Sequence, residues 1–244
     1  MGRRAGERLR SAFAARERNG IVSLESELDR ARELDVAELA DAIESIGFEC
    51  TRCGACCKAA ETDAGEDEEH TATVFPDEVR ALEEQGEYDW RDVARPMPYG
   101  LTDVPEGPEG ETFEWALQTT GCGDCTFYAE ADDGTGACTA HDDRPLICRT
   151  YPFSVALEGS SQPMGEAVDR VGQVRAHECE GLGRDIDRED AEELAAALKR
   201  RSVRELEEAI GVRENYEPAD PGPGEVVVHD SEGAKRPDGD PVER

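Results

Sequence analysis

The stretch Cys50-Thr51-Arg52-Cys53-Gly54-Ala55-Cys56-Cys57, CTRCGACC, holds four of the chain's nine cysteines within eight residues. Two successive C-x-x-C steps run from Cys50 through Cys53 to Cys56, and another joins Cys122 to Cys125. Two residues between thiols let both sulfurs turn toward one ion, while N–H groups of the turn face the anionic sulfurs. Gly54, Gly121 and Gly123 give the backbone freedom to turn tightly there. A cysteine used as a small apolar side chain falls on periodic positions. Cys122, Cys125, Cys138, Cys148 and Cys179 instead punctuate stretches that read as loop and strand. A C-x-x-C-x-x-C run also holds three corners of an iron–sulfur cluster in ferredoxin-type segments, although the usual fourth cysteine followed by proline is missing here. Cys57 directly follows Cys56, and neighbours on an extended backbone point opposite ways. The two are therefore expected to serve different metal sites, unless one serves none. Zinc is the plainer alternative: eight thiolates fill two closed tetrahedral sites that hold a core-poor domain together. Spacing alone leaves iron–sulfur and zinc both open.

Around this stretch the chain is strongly acidic. Its 244 residues carry 27 Lys+Arg against 58 Asp+Glu, a net charge of −31. Only Lys58, Lys199 and Lys235 are lysines. Carboxylates spread along the whole chain resemble the surface of halophilic, salt-adapted proteins, where abundant ions screen the repulsion. With 37% hydrophobic and 5% aromatic residues, the ends are expected to be disordered. No broad basic face exists to meet phosphates, which excludes a nucleic-acid partner of that kind. No apolar run approaches the roughly 18 residues of a membrane span. The N-terminal MGRRAGERLRSAFAARERNG has paired arginines but no apolar segment after them, so it reads as a short basic helix and not an export signal. A cytoplasmic location follows as the expectation. Thiols stay reduced there, and nine cysteines then point to metal or redox chemistry before disulfides.

Leu24, Leu28, Leu39, Ile43 and Ile46 recur at near-helical spacing, predicting one or two amphipathic helices over 24–46, with Asp35 as a cap and Gly47 as the stop. Residues 61–69 read as a solvated acidic loop. FPDEVRALEEQGE predicts a short helix opened by Pro76 and closed by Gly86, and 96–112 a Pro/Gly-rich loop. Strands are expected at 112–120, 146–157 and around Val168–Val174. Residues 187–211 read as two helices, the second capped by Ser202 and ended by Gly211. After Arg213 the composition turns to Pro, Gly and acid, predicting disorder. The expected fold is α+β. A helical segment (1–47) precedes an irregular cysteine-cluster domain (48–185). Two helices (186–212) and a disordered acidic tail (213–244) follow.

CTRCGACC, CTFY at 125–128, CTAHDDRPLICRTYPF at 138–153 and HECEGLG at 177–183 together resemble the YkgJ-like cysteine-cluster family, over about residues 48–185. That family is described as zinc- or iron-chelating, or as iron–sulfur-cluster-containing. The resemblance implies a metal site and matches Cys50, Cys53, Cys56, Cys57, Cys125, Cys138, Cys148 and Cys179 to the family pattern, leaving Cys122 outside it. It supplies no reaction. Related domains occur in flagellin lysine methylases, but no glycine-rich nucleotide loop is present to support methyl transfer. Pro145 makes the approach to Cys148 stiff. Arg144 and Arg149 flank that cysteine and are expected to offset thiolate charge, the alternative being a local pair of Arg144 with Asp142 or Asp143. For Arg52 both kinds of role stay open. His70 and His229 are expected to be solvated, and His177 to stand near the site or at the surface. His141 is an undecided ligand. Phe127, Tyr151 and Phe153 would wall the site. The functional expectation is an iron–sulfur protein with a redox or oxidoreductase-type role and a protein or redox partner. The alternatives are a zinc-stabilised binding module and a metal-dependent modifying enzyme with an open coordination position.

Overall fold

The computed structural model describes residues 23–61, 67–157 and 166–242. The basic N-terminal segment and the middle of the acidic loop lie outside them. Leu24–Glu33 (α1) starts at Ser23, whose side chain accepts from the Ser26 N–H. Val36–Ile46 (α2) is capped by Asp35, which accepts from the N–H groups of Ala37 and Glu38, and ends at Gly47 with φ 78°. Both termini follow from short polar caps and a residue free to turn left-handed. Next come β1 (Ala60–Glu61), β2 (Asp67–Glu68), β3 (Thr73–Val74), α3 (Pro76–Gln85), α4 (Trp90–Val93) and β4 (Ala94–Pro96). The chain continues with β5 (Thr102–Val104), β6 (Gly107–Phe113), β7 (Trp115–Leu117), β8 (Tyr128–Glu130) and β9 (Gly136–Cys138). It proceeds through α5 (Leu146–Thr150), β10 (Phe153–Val155), β11 (Ala167–Val171), β12 (Val174–His177), α6 (Arg188–Asn215), β13 (Val226–Asp230) and β14 (Gly233–Lys235).

Two apolar cores organise these elements. In the first, α1, α2 and α6 pack over the sheet β10–β12–β11, with Ile43, Phe153, Leu198 and Leu206 fully enclosed. The second is built on the sheets β3–β7–β4 and β14–β13–β6–β5, with α3 and α4 against them. Its centre is Trp115, whose indole stacks edge-on to Trp90 at 5.0 Å. The Trp115 Nε1–H donates to Asp230 at 2.8 Å, and Lys235 closes on the same carboxylate at 2.8 Å. The class is α+β. Among the described residues no helix is long and apolar enough to cross a membrane.

Five expectations fail. The supposed disordered tail is ordered over 226–242: Val226, Val227 and Val228 are buried, and β13 runs parallel to β6 with Val226 opposite Gly110. Three valines flanked by Pro and Gly are enough for a strand once a sheet edge receives them. The supposed loop 96–112 contains the β5–β6 hairpin. The strand foreseen over 146–157 is helix α5 followed by β10, and the one over 112–120 breaks at Glu114, which takes φ 67°. The two C-terminal helices are one, α6, starting at Asp187. Ser202 lies inside it, its hydroxyl donating to the Leu198 carbonyl at 2.9 Å. Gly211 also lies inside it, at a point where Ser231 leaves no room for a side chain: a Cβ there would stand 2.6 Å from Ser231 Cβ.

Candidate metal centre

Arg52 at φ 59° and Gly54 at φ 77° fold residues 50–57 into a tight loop that ends in a 3-10 turn over Ala55–Cys57. That turn is helical, so neighbouring side chains do not diverge as they would in a strand. The sulfurs of Cys56 and Cys57 lie 3.8 Å apart, which corrects the expectation that they face opposite ways. The loop is held on two flanks. Gly136 N–H donates to the Arg52 carbonyl at 2.7 Å, and Arg52 Nε donates back to the Gly136 carbonyl at 3.1 Å. Cys125 N–H donates to the Cys57 carbonyl at 2.8 Å, and Ala59 N–H donates to Asp124 at 2.8 Å. Arg52 thus clips the loop to β9, the strand that ends in Cys138.

Cys148 arrives on α5, whose position is fixed from both ends. Glu78 on α3 accepts from the Leu146 N–H at 2.8 Å and from the Phe75 N–H at 3.0 Å. At the other end the buried Arg201 of α6 donates to the Thr150 hydroxyl at 3.0 Å and to the Phe153 carbonyl at 3.1 Å. Cys179 is placed by another pairing: Glu49 N–H donates to the Gly181 carbonyl, and Gly183 N–H to the Gly47 carbonyl, each at 3.0 Å. This sets Cys50 beside the 179–181 turn, where Gly181 N–H points at the Cys179 sulfur at 3.4 Å.

Between these supports lies a cavity of about 350 Å³ with Cys56, Cys57, Cys125, Cys138 and Cys148 in its walls. Leu117, Phe127, Ile147 and Tyr151 line it too, as the apolar-wall expectation held for Phe127 and Tyr151. Phe153 is buried in the first core instead. Cys50, Cys53 and Cys179 do not border the cavity, and neither does Cys122, which is exposed with its sulfur 3.0 Å from the Thr120 hydroxyl.

Burial pushes the Cys125 thiol up to about 11 and raises Cys138, Cys148 and Cys179 as well. Cys56 is raised most by its contact with Cys57, then by burial. Neutral thiols are what such crowding favours; a bound cation reverses this, because coordination deprotonates the sulfur outright. Arg144 acts in the cation's direction, lowering Cys56 and Cys138. Its Nε donates to the His141 carbonyl at 3.1 Å, and no ion pair joins it to Asp142 or Asp143 among the described residues. Arg149 spends its guanidinium on the Arg144 carbonyl at 2.6 Å and on the Asp142 carbonyl, so it fastens the turn and not the thiolate charge.

The histidines fall differently from expectation. His229 is buried, with Nε2 3.0 Å from Glu111, and His177 is buried against Ser154 at 2.8 Å. His141 is exposed beside Asp142. His70 is half-buried in the cavity wall, and burial together with Arg95 pushes it down to about 4, so it is neutral at pH 7. His70 and Glu78 are the site residues the sequence reading missed. Glu78 carried a signal, standing three residues after a helix start at Phe75, where a carboxylate reaches back to the first N–H. For His70 there was none.

The donor set is one of soft thiols, which suits zinc, iron and iron–sulfur clusters. Among the described residues no three Cys, His, Asp or Glu side chains form a ready-made cage, so loading requires the sulfurs to draw together. Thiols gathered by separate elements around one cavity define a metal-chelating domain. The chain belongs to the CxxCxxCC family, described as "Putative zinc- or iron-chelating domain", which matches residues 49–180, just over half of its length. Comparison with curated proteins and with solved structures finds no match.

Proposed function

We propose that the protein holds an iron–sulfur cluster through the thiols around this cavity and uses it in electron transfer or an oxidoreductase step. The observation carrying this reading is the cavity itself: about 350 Å³, apolar-walled, with five cysteines on its surface. A four-coordinate ion fills almost no space beyond its own ligands. A cluster brings inorganic atoms that need room, and four thiolates to anchor them. When bound it would supply one-electron chemistry. The chain's own part is to shield it behind Phe127, Ile147 and Tyr151 and to offset its negative charge with Arg144.

A second reading, zinc in a purely structural role, is favoured by the 3.8 Å between the Cys56 and Cys57 sulfurs. Two thiolates on one tetrahedral ion with ~2.3 Å metal–sulfur bonds stand about 3.8 Å apart. Anaerobic purification with iron, sulfide and zinc analysis separates the two. Brown protein with matching iron and sulfide supports the cluster. Colourless protein with stoichiometric zinc, still colourless after reconstitution, sinks it.

A further inference from the structure

Along one side of α6 runs an open cleft of about 850 Å³, distinct from the metal cavity. Its floor is apolar, made by Phe48, Ile186, Leu194 and Ala197. Its two ends carry opposite charge. At the start of α6 stand Asp185, Asp187, Asp190 and Glu193, joined by Glu49, because the Phe48–Leu182 bridge sets 48–49 against the segment entering the helix. At the other end are Arg149 and Arg200, whose chain neighbours Thr150 and Arg201 are hydrogen-bonded at 3.0 Å. Asp142 is the carboxylate on that side, 3.2 Å from the His141 ring. From Asp187 to Arg200 along the helix is about 20 Å, at ~1.5 Å per residue. In a chain with 58 acidic residues against 27 basic ones, a guanidinium readily finds a carboxylate. On α6 itself Arg188, Arg201, Arg204 and Arg213 all do. Among the described residues Arg200 has neither ion pair nor hydrogen bond, and the carboxylates of Asp185, Asp190 and Glu193 have none either. Arg144 and Arg149 reach only backbone carbonyls. Both ends of the cleft thus keep charge that the fold does not neutralise.

We propose that this cleft docks an extended segment of a partner protein, about six residues long, with Lys or Arg at one end, Asp or Glu at the other and apolar side chains between. Six residues at ~3.3 Å each reach from end to end. A free amino acid is too short to touch both. Opposite charges at the two ends fix the register and direction of the segment, and the apolar floor supplies burial. Arg144 borders both the cleft and the metal cavity, and Cys50 stands in the cleft wall. The docked segment therefore lies against the cysteine loop. On the reading that the cavity carries a redox centre, the protein docked here is its electron donor or acceptor; the docking itself does not rest on that reading.

Fluorescence anisotropy with labelled heptapeptides tests this on the full chain as purified, in about 0.1 M KCl. KKLALEE and its reverse EELALKK carry both charges, whereas KKLALKK and EELALEE carry one kind each. One of the two bipolar peptides is expected to bind about fivefold more tightly than KKLALKK, even though KKLALKK is drawn more strongly to a surface of net charge −31. Arg200→Gln should erase that preference, and Arg200→Glu should reverse it in favour of KKLALKK. Arg200 is exposed and unpaired among the described residues, so neither change removes a contact of the fold. Asp190→Asn combined with Glu193→Gln should weaken the bipolar peptide and leave EELALEE the less disfavoured. The proposal is overturned if KKLALKK binds the wild-type chain as tightly as both bipolar peptides, or if Arg200→Glu leaves the order of affinities unchanged. It is overturned too if neither bipolar peptide binds at concentrations on the order of 1 mM. None of these signals comes from a metal, so a chain that holds only zinc refutes the redox reading and leaves the docking result standing.

Discussion

Gly54→Ala is the sharpest test of how the cysteine loop is built. Gly54 takes φ 77°, and a Cβ there would stand 2.4 Å from the Tyr128 hydroxyl and 2.7 Å from two ring carbons. Forcing a non-glycine residue into the left-handed region costs about 1 kcal/mol. Overpacking against a ring adds roughly 1–3 kcal/mol. The ring cannot swing away freely, because its hydroxyl donates to Glu130 at 2.6 Å and Lys58 lies over its face at 5.2 Å. Together these give a loss of about 3 kcal/mol, which for a chain of this size lowers Tm by roughly 6–12 °C. Calorimetry of the metal-loaded protein measures it. A double-mutant cycle isolates the steric part: Tyr128→Ala in the Gly54→Ala background should recover about 1–3 kcal/mol relative to additivity. A Tm change within 2 °C for Gly54→Ala, or strict additivity in the cycle, would refute the argument that this ring fixes the loop.

Cys53→Ser should lose metal and stability while Cys122→Ser keeps both, since Cys53 belongs to the C-x-x-C-x-x-C run and Cys122 is exposed with its sulfur 3.0 Å from the Thr120 hydroxyl; equal metal loss on elemental analysis would contradict the ligand assignment. Glu114 is raised to about 7, first by burial and then by Glu208 and Glu205. Its proton therefore favours the folded state, a contribution fully present below about pH 4.5 and lost as pH rises through about 7. Glu114→Gln should raise stability at pH 8 by roughly 2 kcal/mol and change little at pH 4, a pattern that chemical denaturation at the two pH values would reveal or deny. Removing residues 225–244 strips Val226, Val227 and Val228 from the second core, a loss of about 5 kcal/mol that should leave the remainder unfolded by circular dichroism; a truncated chain melting like the full one would show the tail to be dispensable. With a net charge of −31, Tm should climb between 0.1 and 2 M KCl as repulsion is screened, and a flat or falling curve would count against salt adaptation.

How far the sequence reaches depends on which forces are local. α1 and α2 were legible because apolar spacing, Asp35 and Gly47 all act within one or two turns. The LIC run before Thr150 was not, since three apolar residues fit a buried strand or a helix equally, and the choice falls to Glu78 and Arg201 from distant parts of the chain. Ser202 and Gly211 carried the right chemistry for a break in α6, but burial against neighbouring elements overrode it. At the metal centre, which residues are cysteines was evident at once, and so was their tendency to converge. The 3-10 turn that brings Cys56 alongside Cys57 was hidden, because it depends on Arg52 and Gly54 both turning left-handed under contacts from 125–136. His229 looked like a tail residue only while its strand lacked a partner.

The parallel pairing of β13 with β6 also sets an order of events during synthesis. Val226 joins Gly110, 116 positions earlier, so the second core stays open until residues beyond 226 have left the ribosome. Every thiol up to Cys148 has emerged by then, and the Phe127–Ile147 wall still lacks the valines that complete the core beside it. A nascent chain therefore exposes its cysteines before the finished enclosure exists. Loading at that stage needs no later opening of the folded protein.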